Sequence, residues 1–234
     1  MSIRPTTKIG SNEARHAKKR RIYDQFARIG KALASPTRLE LLDLLCQGER
    51  SVDALAKQAS LEIASTSQHL RALAAARLVE TRRDGPRVVY RVADPSVVAL
   101  YHSLRAAAET QLAEVDSVAR AYLDGNDELE AIDRAELSRR LKDGSVMLID
   151  VRPSEEFAQG HIRGAVSVPP ERVAAWADTA PRKKEIVAYC RGPYCVYAVD
   201  AARQLEKRGL RVRRFADGVP EWRAAGLPVS LGDH

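Results

Sequence analysis

A two-domain chain is expected from this sequence: a mainly helical first half carrying a β-hairpin, then an α/β domain with a parallel sheet. Three observations predict it. Charge is uneven: residues 1–91 carry 18 Lys and Arg against 9 Asp and Glu, residues 92–125 carry 2 against 5, and residues 126–234 carry 18 against 17. The hydrophobic pattern changes near residue 130, from helical spacing to short apolar runs such as "SVMLID" and "EIVAYC". Two of the three cysteines stand together in "CRGPYC", residues 190–195, right after the second of those runs.

The elements follow in order. Residues 12–34 read as a helix with Gly30 a mild defect. Ser35 and Pro36 suit the start of a second helix, which Gly48 ends, with Leu39, Leu42 and Leu45/Cys46 on one face. Ser51 can cap the short helix "VDALAKQAS"; "LEI" makes a tight turn, and "ASTSQHLRALAAARL" is another helix with Leu70, Leu73 and Ala74 facing inward. "VETRRDGPRVVYRVA" is two β-rich runs around Asp84-Gly85-Pro86, a hairpin. A long helix is expected from about Val97 to Leu123. Its positions 97, 101, 104, 108, 111, 115, 118 and 122 form a heptad seam with one polar member, Gln111. That seam is longer than a small domain can cover, so it predicts a homodimer. Gly125 ends the helix and residues 126–133 form a linker, which sets domains at 1–125 and 134–234. "AVDAARQLEKRG" is an amphipathic helix and "RVRRF" a third strand, so strands alternate with helices.

The totals exclude several classes. With 45% hydrophobic and 29% charged residues, the composition is that of a soluble protein. No run of about 18 apolar residues is present, and the N-terminus lacks an apolar signal segment, so no membrane partner is expected. Three cysteines in 234 residues are no disulfide framework, and a reducing cytoplasm is the expected compartment.

The net charge of +9 over residues 1–91 points to nucleic acid. A short helix, a tight turn and a second helix match a helix-turn-helix, whose second helix reads the major groove with its N-terminal residues. Here these are Ser65, Thr66, Ser67, Gln68 and His69, with Arg71 one turn on. Thr66 is expected to be less exposed than its neighbours, and Gln68 can pair with an adenine edge. Arg82, Arg83, Arg87 and Arg91 on the hairpin make a wing for phosphates or the minor groove. Double-stranded operator DNA is the expected partner. The phrases "SPTRLELL", "STSQHLRAL" and "LVETRRDGPRVVYRV" resemble the ArsR/SmtB-type winged helix-turn-helix regulators. The resemblance implies a dimeric repressor paired through its terminal helices. Metal-sensing members often carry a cysteine pair in the segment matching Glu49–Leu55; none stands there. Cys46 alone on an apolar helix face reads as core.

In the second half, C-x4-C leaves alternatives open. A closed zinc site needs His161 or others to converge, and no metal or cofactor is expected. A Cys190–Cys195 disulfide is open to the pair, though nothing in the sequence forces it. A nucleophile has a mechanism: Cys190 follows a strand, a turn and a helix N-terminus follow it, and Arg191 adds positive charge. "LIDVRPSEEFAQGHIRGAVSVP", "IVAYCRG" and "FADGVPEWRAAGLPV" resemble the rhodanese-like domains over about residues 130–230. The resemblance implies sulfane sulfur carried as a persulfide on Cys190. It also implies that Asp150, Arg152, Glu156 and His161 hold the loops together. Two departures stand out. Ala216-Asp217-Gly218 replaces a common Gly-Gly pair, and the loop after Cys190 is about two residues wider, with Cys195 inside it. The fold expected is thus a mainly α winged helix-turn-helix with a β-hairpin wing, followed by a rhodanese-like domain. The function expected is a DNA-binding regulator that senses a small sulfur donor or oxidant through Cys190. The alternative is a sulfurtransferase, or an oxyanion reductase, whose DNA-binding half places or controls it.

Overall fold

In the computed structural model, which describes residues 9–123 and 130–232, the local signals of the first half become helices at the expected places. Helix α1 spans Ile9–Leu33, α2 Pro36–Cys46, α3 Val52–Gln58 and α4 Ile63–Ala75. Ser51 caps α3, its hydroxyl accepting from the Ala54 amide at 3.2 Å. The hairpin strands β2 (Val79–Asp84) and β3 (Arg87–Val92) pair antiparallel with Asp84 opposite Arg87. Gly85 takes a φ of 58° in the tip, which glycine adopts without steric cost. A short strand, β1 (Arg50–Ser51), adds to β3 and completes a three-stranded sheet; the sequence reading has no strand there. The core of this unit gathers Leu41, Leu42, Leu45, Leu55, Leu70, Leu73 and Leu78 with Tyr90. Helix α2 is buried on more than the single face expected, since Leu41 and Leu44 are buried beside Leu42 and Leu45.

The long helix expected to run unbroken from Val97 to Leu123 is two helices, α5 (Pro95–Gln111) and α6 (Ala113–Tyr122). Leu112 leaves helical geometry, with φ −113° and ψ 99°. Neither proline nor glycine stands at the break. Glu114 and Asp116 in the first turn of α6 favour a new helix N-terminus, where the backbone dipole attracts negative charge. Along the expected seam Val97 is buried, whereas Leu104, Val118 and Tyr122 are exposed in the single chain. The expected helix stop at Gly125, and residues 126–129 of the expected linker, lie outside the described residues.

By its internal contacts the chain separates into two units. The first runs to Val97 without Cys46–Gly48; the second holds Cys46–Gly48 and everything from Val98. The second unit contains a five-stranded sheet, all parallel. Its strands in chain order are β4 (Ala131–Ile132), β5 (Val146–Asp150), β7 (Val166–Ser167), β8 (Glu185–Tyr189) and β9 (Val212–Phe215). Across the sheet they stand in the order β4-β9-β8-β5-β7, so β8 is central. A separate antiparallel pair joins β6 (His161–Ile162) to β10 (Val229–Ser230).

Helices cover both faces: α7 (Arg134–Lys142), α8 (Ser154–Gln159), α9 (Val173–Thr179), α10 (Val196–Glu206) and α11 (Val219–Ala224). Alternate residues of the strands feed two apolar clusters. Ile186, Ala188, Cys190 and Val212 lie in one, with Ala201, Ala202 and Leu205 of α10. Val187, Tyr189 and Phe215 lie in the other, with Leu137 and Trp222. This alternation over strands buried on both sides explains why "EIVAY" reads as a continuous apolar run. No described helix is long and apolar enough to cross a membrane.

Candidate functional site

Two sets of side chains in this chain have the makings of a site. In the first unit, α4 presents its N-terminal half to the surface. Gln68 and Arg71 are exposed; Ser65, Ser67 and His69 are half-buried. Thr66 is fully buried, its hydroxyl donating to the Glu62 carbonyl at 3.0 Å, so it serves the core side of the helix as expected. Arg71 Nε donates to the Ser67 carbonyl at 3.3 Å, a weak bond that a phosphate can displace.

The wing arginines differ among themselves. Arg82 binds both carboxylate oxygens of Glu49, and the pairing lowers the Glu49 carboxyl below its usual range. Arg91 pairs with Glu80. Arg83 and Arg87 are exposed and, among the described residues, have no carboxylate partner. The wing therefore offers two uncommitted cations near its tip and two that are already offset. The sequence ranks these arginines equally, because Glu49 is distant along the chain.

In the second unit the carboxyl ends of β5 and β8 meet at one place. Asp150 ends β5 and Tyr189 ends β8, opposite each other in register. Ligands of open α/β sheets bind outside such strand ends. Asp150 is fully buried and accepts four kinds of donor: the Arg152 amide at 3.0 Å, Arg152 Nε, Arg152 Nη2 at 2.6 Å and the Tyr189 hydroxyl at 2.5 Å. Arg152 Nη2 also donates to the Gly160 carbonyl at 2.7 Å, and the Ile162 amide donates to the Tyr189 oxygen at 3.0 Å. Although burial disfavours the Arg152 charge, Asp150 holds its pKa above the ordinary arginine value. For the Tyr189 phenol burial and Asp150 act together and push its pKa up, so it stays a donor. His161 is buried and stacked on Phe157, with ring centroids 3.7 Å apart and Nδ1 at 3.1 Å from the Phe157 carbonyl. Asp150, Arg152 and Tyr189 are thus joined in one buried hydrogen-bond network, while His161 packs on Phe157.

Cys190 follows Tyr189 and is 1% exposed. It is joined to Cys195 by a disulfide, with an S–S distance of 2.00 Å and Cα atoms 6.2 Å apart. The loop between them is held from several sides. Arg191 turns its guanidinium to the buried Glu156, at 2.7 Å, and stacks over the Tyr197 ring at 5.3 Å. The Cys195 amide donates to the Gly192 carbonyl at 3.2 Å, and helix α10 begins at Val196. Gly192 has φ 155°, a conformation that side chains disfavour.

Gly218 supplies the close contact beside the loop. A Cβ built there would lie 2.2 Å from the Arg191 carbonyl oxygen and 3.2 Å from that of Cys190. One glycine at 218 therefore does this packing, and the residue before it, Asp217, pairs with Arg134 at 2.6 Å instead. Tyr194 donates to Glu109 Oε1 at 2.7 Å; its burial and this bond raise its pKa to about 12. Arg105 pairs with Glu221 at 2.9 Å, and Glu221 accepts from the Gly218 amide at 2.9 Å.

The sequence reading has no role for Tyr189, Glu221 or Arg214, which donates to the Pro193 carbonyl. Of these, Tyr189 alone carries a local signal, a polar tip ending an apolar strand beside Cys190. Among the described residues no three His, Cys, Asp or Glu side chains group as a metal site.

Comparison with known proteins separates the same two regions. Residues 35–81 match the arsR family of bacterial regulatory proteins, and residues 133–225 match the rhodanese-like domain. The chain is 46% identical over 215 residues to the HTH-type transcriptional regulator Rv0324 of Mycobacterium tuberculosis, covering 92% of this chain and 94% of that one. Over 99 residues it is 33% identical to a sulfurtransferase of Allochromatium vinosum, covering 42% of this chain and 92% of that one. A solution structure from Mycobacterium bovis, the homodimeric winged helix-turn-helix DNA-binding domain of a possible ArsR-family regulator, is 43% identical. It covers 41% of this chain and 88% of that one, with a TM-score of 0.39.

Proposed function

The chain belongs to the ArsR family of transcriptional regulators and carries a C-terminal rhodanese-like domain, and from that premise we propose that it is a homodimeric operator-binding protein whose Cys190 loop senses sulfane sulfur. The observation that carries the reading is the Cys190–Cys195 disulfide at the buried end of the central strand. Two cysteines poised to bond there form a two-state element within a small loop.

The chemistry balances with a thiosulfate-like donor. The Cys190 thiolate takes the outer sulfur to give Cys190–S–S⁻ and releases sulfite. The Cys195 thiol then attacks the Cys190 sulfur; the disulfide forms and hydrosulfide leaves. A peroxide reaches the same disulfide through a sulfenic acid with loss of water. Gln68, Ser65, Ser67, His69 and Arg71 read base edges and phosphates, and Arg83 and Arg87 anchor the wing. The exposed apolar side chains of Leu104, Val118 and Tyr122 support pairing of two chains along α5 and α6.

The test measures operator affinity of the full chain in the reduced, persulfidated and disulfide states, beside Cys190→Ser. Wild type is expected to change affinity on exposure and Cys190→Ser not to. Equal affinity in all states overturns the sensor reading. The similarity to a sulfurtransferase supports a second reading, an enzyme that turns over sulfur donors. Sustained multiple turnovers with thiosulfate favour it; a single turnover ending in the disulfide favours the sensor.

A further inference from the structure

The loop after Cys190 rests on an arginine that has no counter-ion among the described residues. In the sheet Arg214 of β9 stands opposite Ala188 of β8, two residues before Cys190. Side chains alternate along these strands. Val212, Ala188 and Cys190 share one cluster, while Val187, Tyr189 and Phe215 share the other. Arg214 has the parity of Val212, so it leaves the sheet on the Cys190 face. Its Nη2 donates to the carbonyl of Pro193, in the middle of the loop. Its neighbour Arg213, on the opposite face, pairs with two carboxylates, Glu136 at 2.7 Å and Glu130 at 3.2 Å.

Arg214 has no such partner among the described residues, and its Nε is buried without a hydrogen bond. Burial alone lowers its pKa, and no carboxylate raises it. The other charged groups around the loop are matched. Arg191 pairs with Glu156, Arg152 with Asp150, and Arg105 with Glu221; His102 stands 3.8 Å from Glu221, and Glu109 accepts from Tyr194. Among these arginines Arg214, on the face of Cys190, is the one without a carboxylate partner among the described residues. Desolvating an unmatched cation is costly, and an anion nearby relieves that cost.

In the disulfide form the loop has no negative charge to offer. Reduction to the Cys190 thiolate supplies one, and so does the persulfide Cys190–S–S⁻. We propose that Arg214 is the positioning cation of this loop: it tethers Pro193 and offsets the charge of the Cys190 thiolate or persulfide, which favours anionic sulfur donors over neutral ones. The role given to the persulfide rests on the sensor reading above; the role given to the thiolate does not.

The test uses the full chain with Cys195→Ser, reduced, so that Cys190 is the one active-loop thiol. Alkylation of Cys190 by neutral iodoacetamide is followed against pH by mass spectrometry, for Arg214, Arg214→Gln and Arg214→Lys. Gln keeps a donor for the Pro193 carbonyl but removes the charge; Lys keeps the charge. Arg214→Gln is expected to move the reactivity midpoint up by about half a pH unit or more, as loss of a neighbouring cation does, and Arg214→Lys to restore most of it. In the same proteins, persulfide formation from thiosulfate should fall roughly tenfold more in Arg214→Gln than that from neutral dimethyl trisulfide. An unchanged midpoint in Arg214→Gln overturns the proposal. So does an equal shift in Arg214→Lys, which would make the guanidinium shape, and not its charge, the cause. A shifted midpoint with no sulfur uptake from either donor keeps the charge role of Arg214 and removes the sulfane reading.

Discussion

The reading helix and wing of the first unit and the Cys190 loop of the second solve opposite problems. Gln68, Arg83 and Arg87 lie in the open, and Arg83 and Arg87 have no carboxylate partner among the described residues. Cys190, Asp150, Arg152 and His161 are at most 1% exposed and bonded from several sides. A surface that binds a polyanion needs cations that pay no exchange cost with local carboxylates. A reactive sulfur needs exclusion of water and a loop whose geometry survives the change of charge. The difference teaches where substitutions should show themselves: in binding for the first unit, in folding and thiol reactivity for the second.

The largest effect is expected at the buried pair. Asp150→Ala leaves the Arg152 guanidinium buried without its carboxylate and removes the acceptor of the Tyr189 hydroxyl. Breaking a buried pair in this way costs about 3–5 kcal/mol. Urea unfolding of the full chain should show the loss in the transition that reports the fluorescence of Trp176 and Trp222, both in the second unit. A change below about 1 kcal/mol would mean that water reaches the pair and that the contrast between the two regions is overstated.

The next effect belongs to base reading. Gln68→Ala should lower discrimination between operator variants by about 1–3 kcal/mol per half-site, measured by competition binding. Intact operator preference would shift the reading role to its half-buried neighbours Ser67 and His69.

A smaller difference sharpens the comparison within the wing. Arg83→Ala should weaken binding to all sequences and reduce the salt slope by about one. Arg82→Ala should do less, because Glu49 already offsets that charge. Equal losses would show that DNA strips Glu49 from Arg82.

The smallest effect is a titration. Tyr194 ionises at about 12 against an ordinary value of 10.0. Because the folded value is raised, the stability contributed by neutral Tyr194 is complete below pH 10 and is lost as pH rises through about 12. The phenolate absorbance difference between wild type and Tyr194→Phe should therefore appear near pH 12. A difference centred at 10 would mean that the Glu109 bond does not form.

Much of this protein was determined by the sequence alone, and for local reasons. Ser51 and Gly85 set a cap and a turn through the geometry of their own backbone neighbours. The alternation of "VETRRDGPRVVYRV" sets the hairpin, and the apolar run before Cys190 marks a strand buried on both faces. The position of Cys190, at the strand end before a helix, was legible in the same way. Tertiary structure decided what depends on partners far along the chain. Glu49 selects Arg82 among four similar wing arginines. Gly218 admits the Arg191 and Cys190 carbonyls, and Glu156 holds the Arg191 side chain in an ion pair. The break at Leu112 divides a seam whose heptad spacing is continuous, because spacing records which residues share a stripe and not whether the backbone bonds run through. Arg214 and Arg213 are adjacent and alike as letters. Only the register of β9 against β8 sends one to two carboxylates and leaves the other on the face of Cys190, without a carboxylate partner among the described residues.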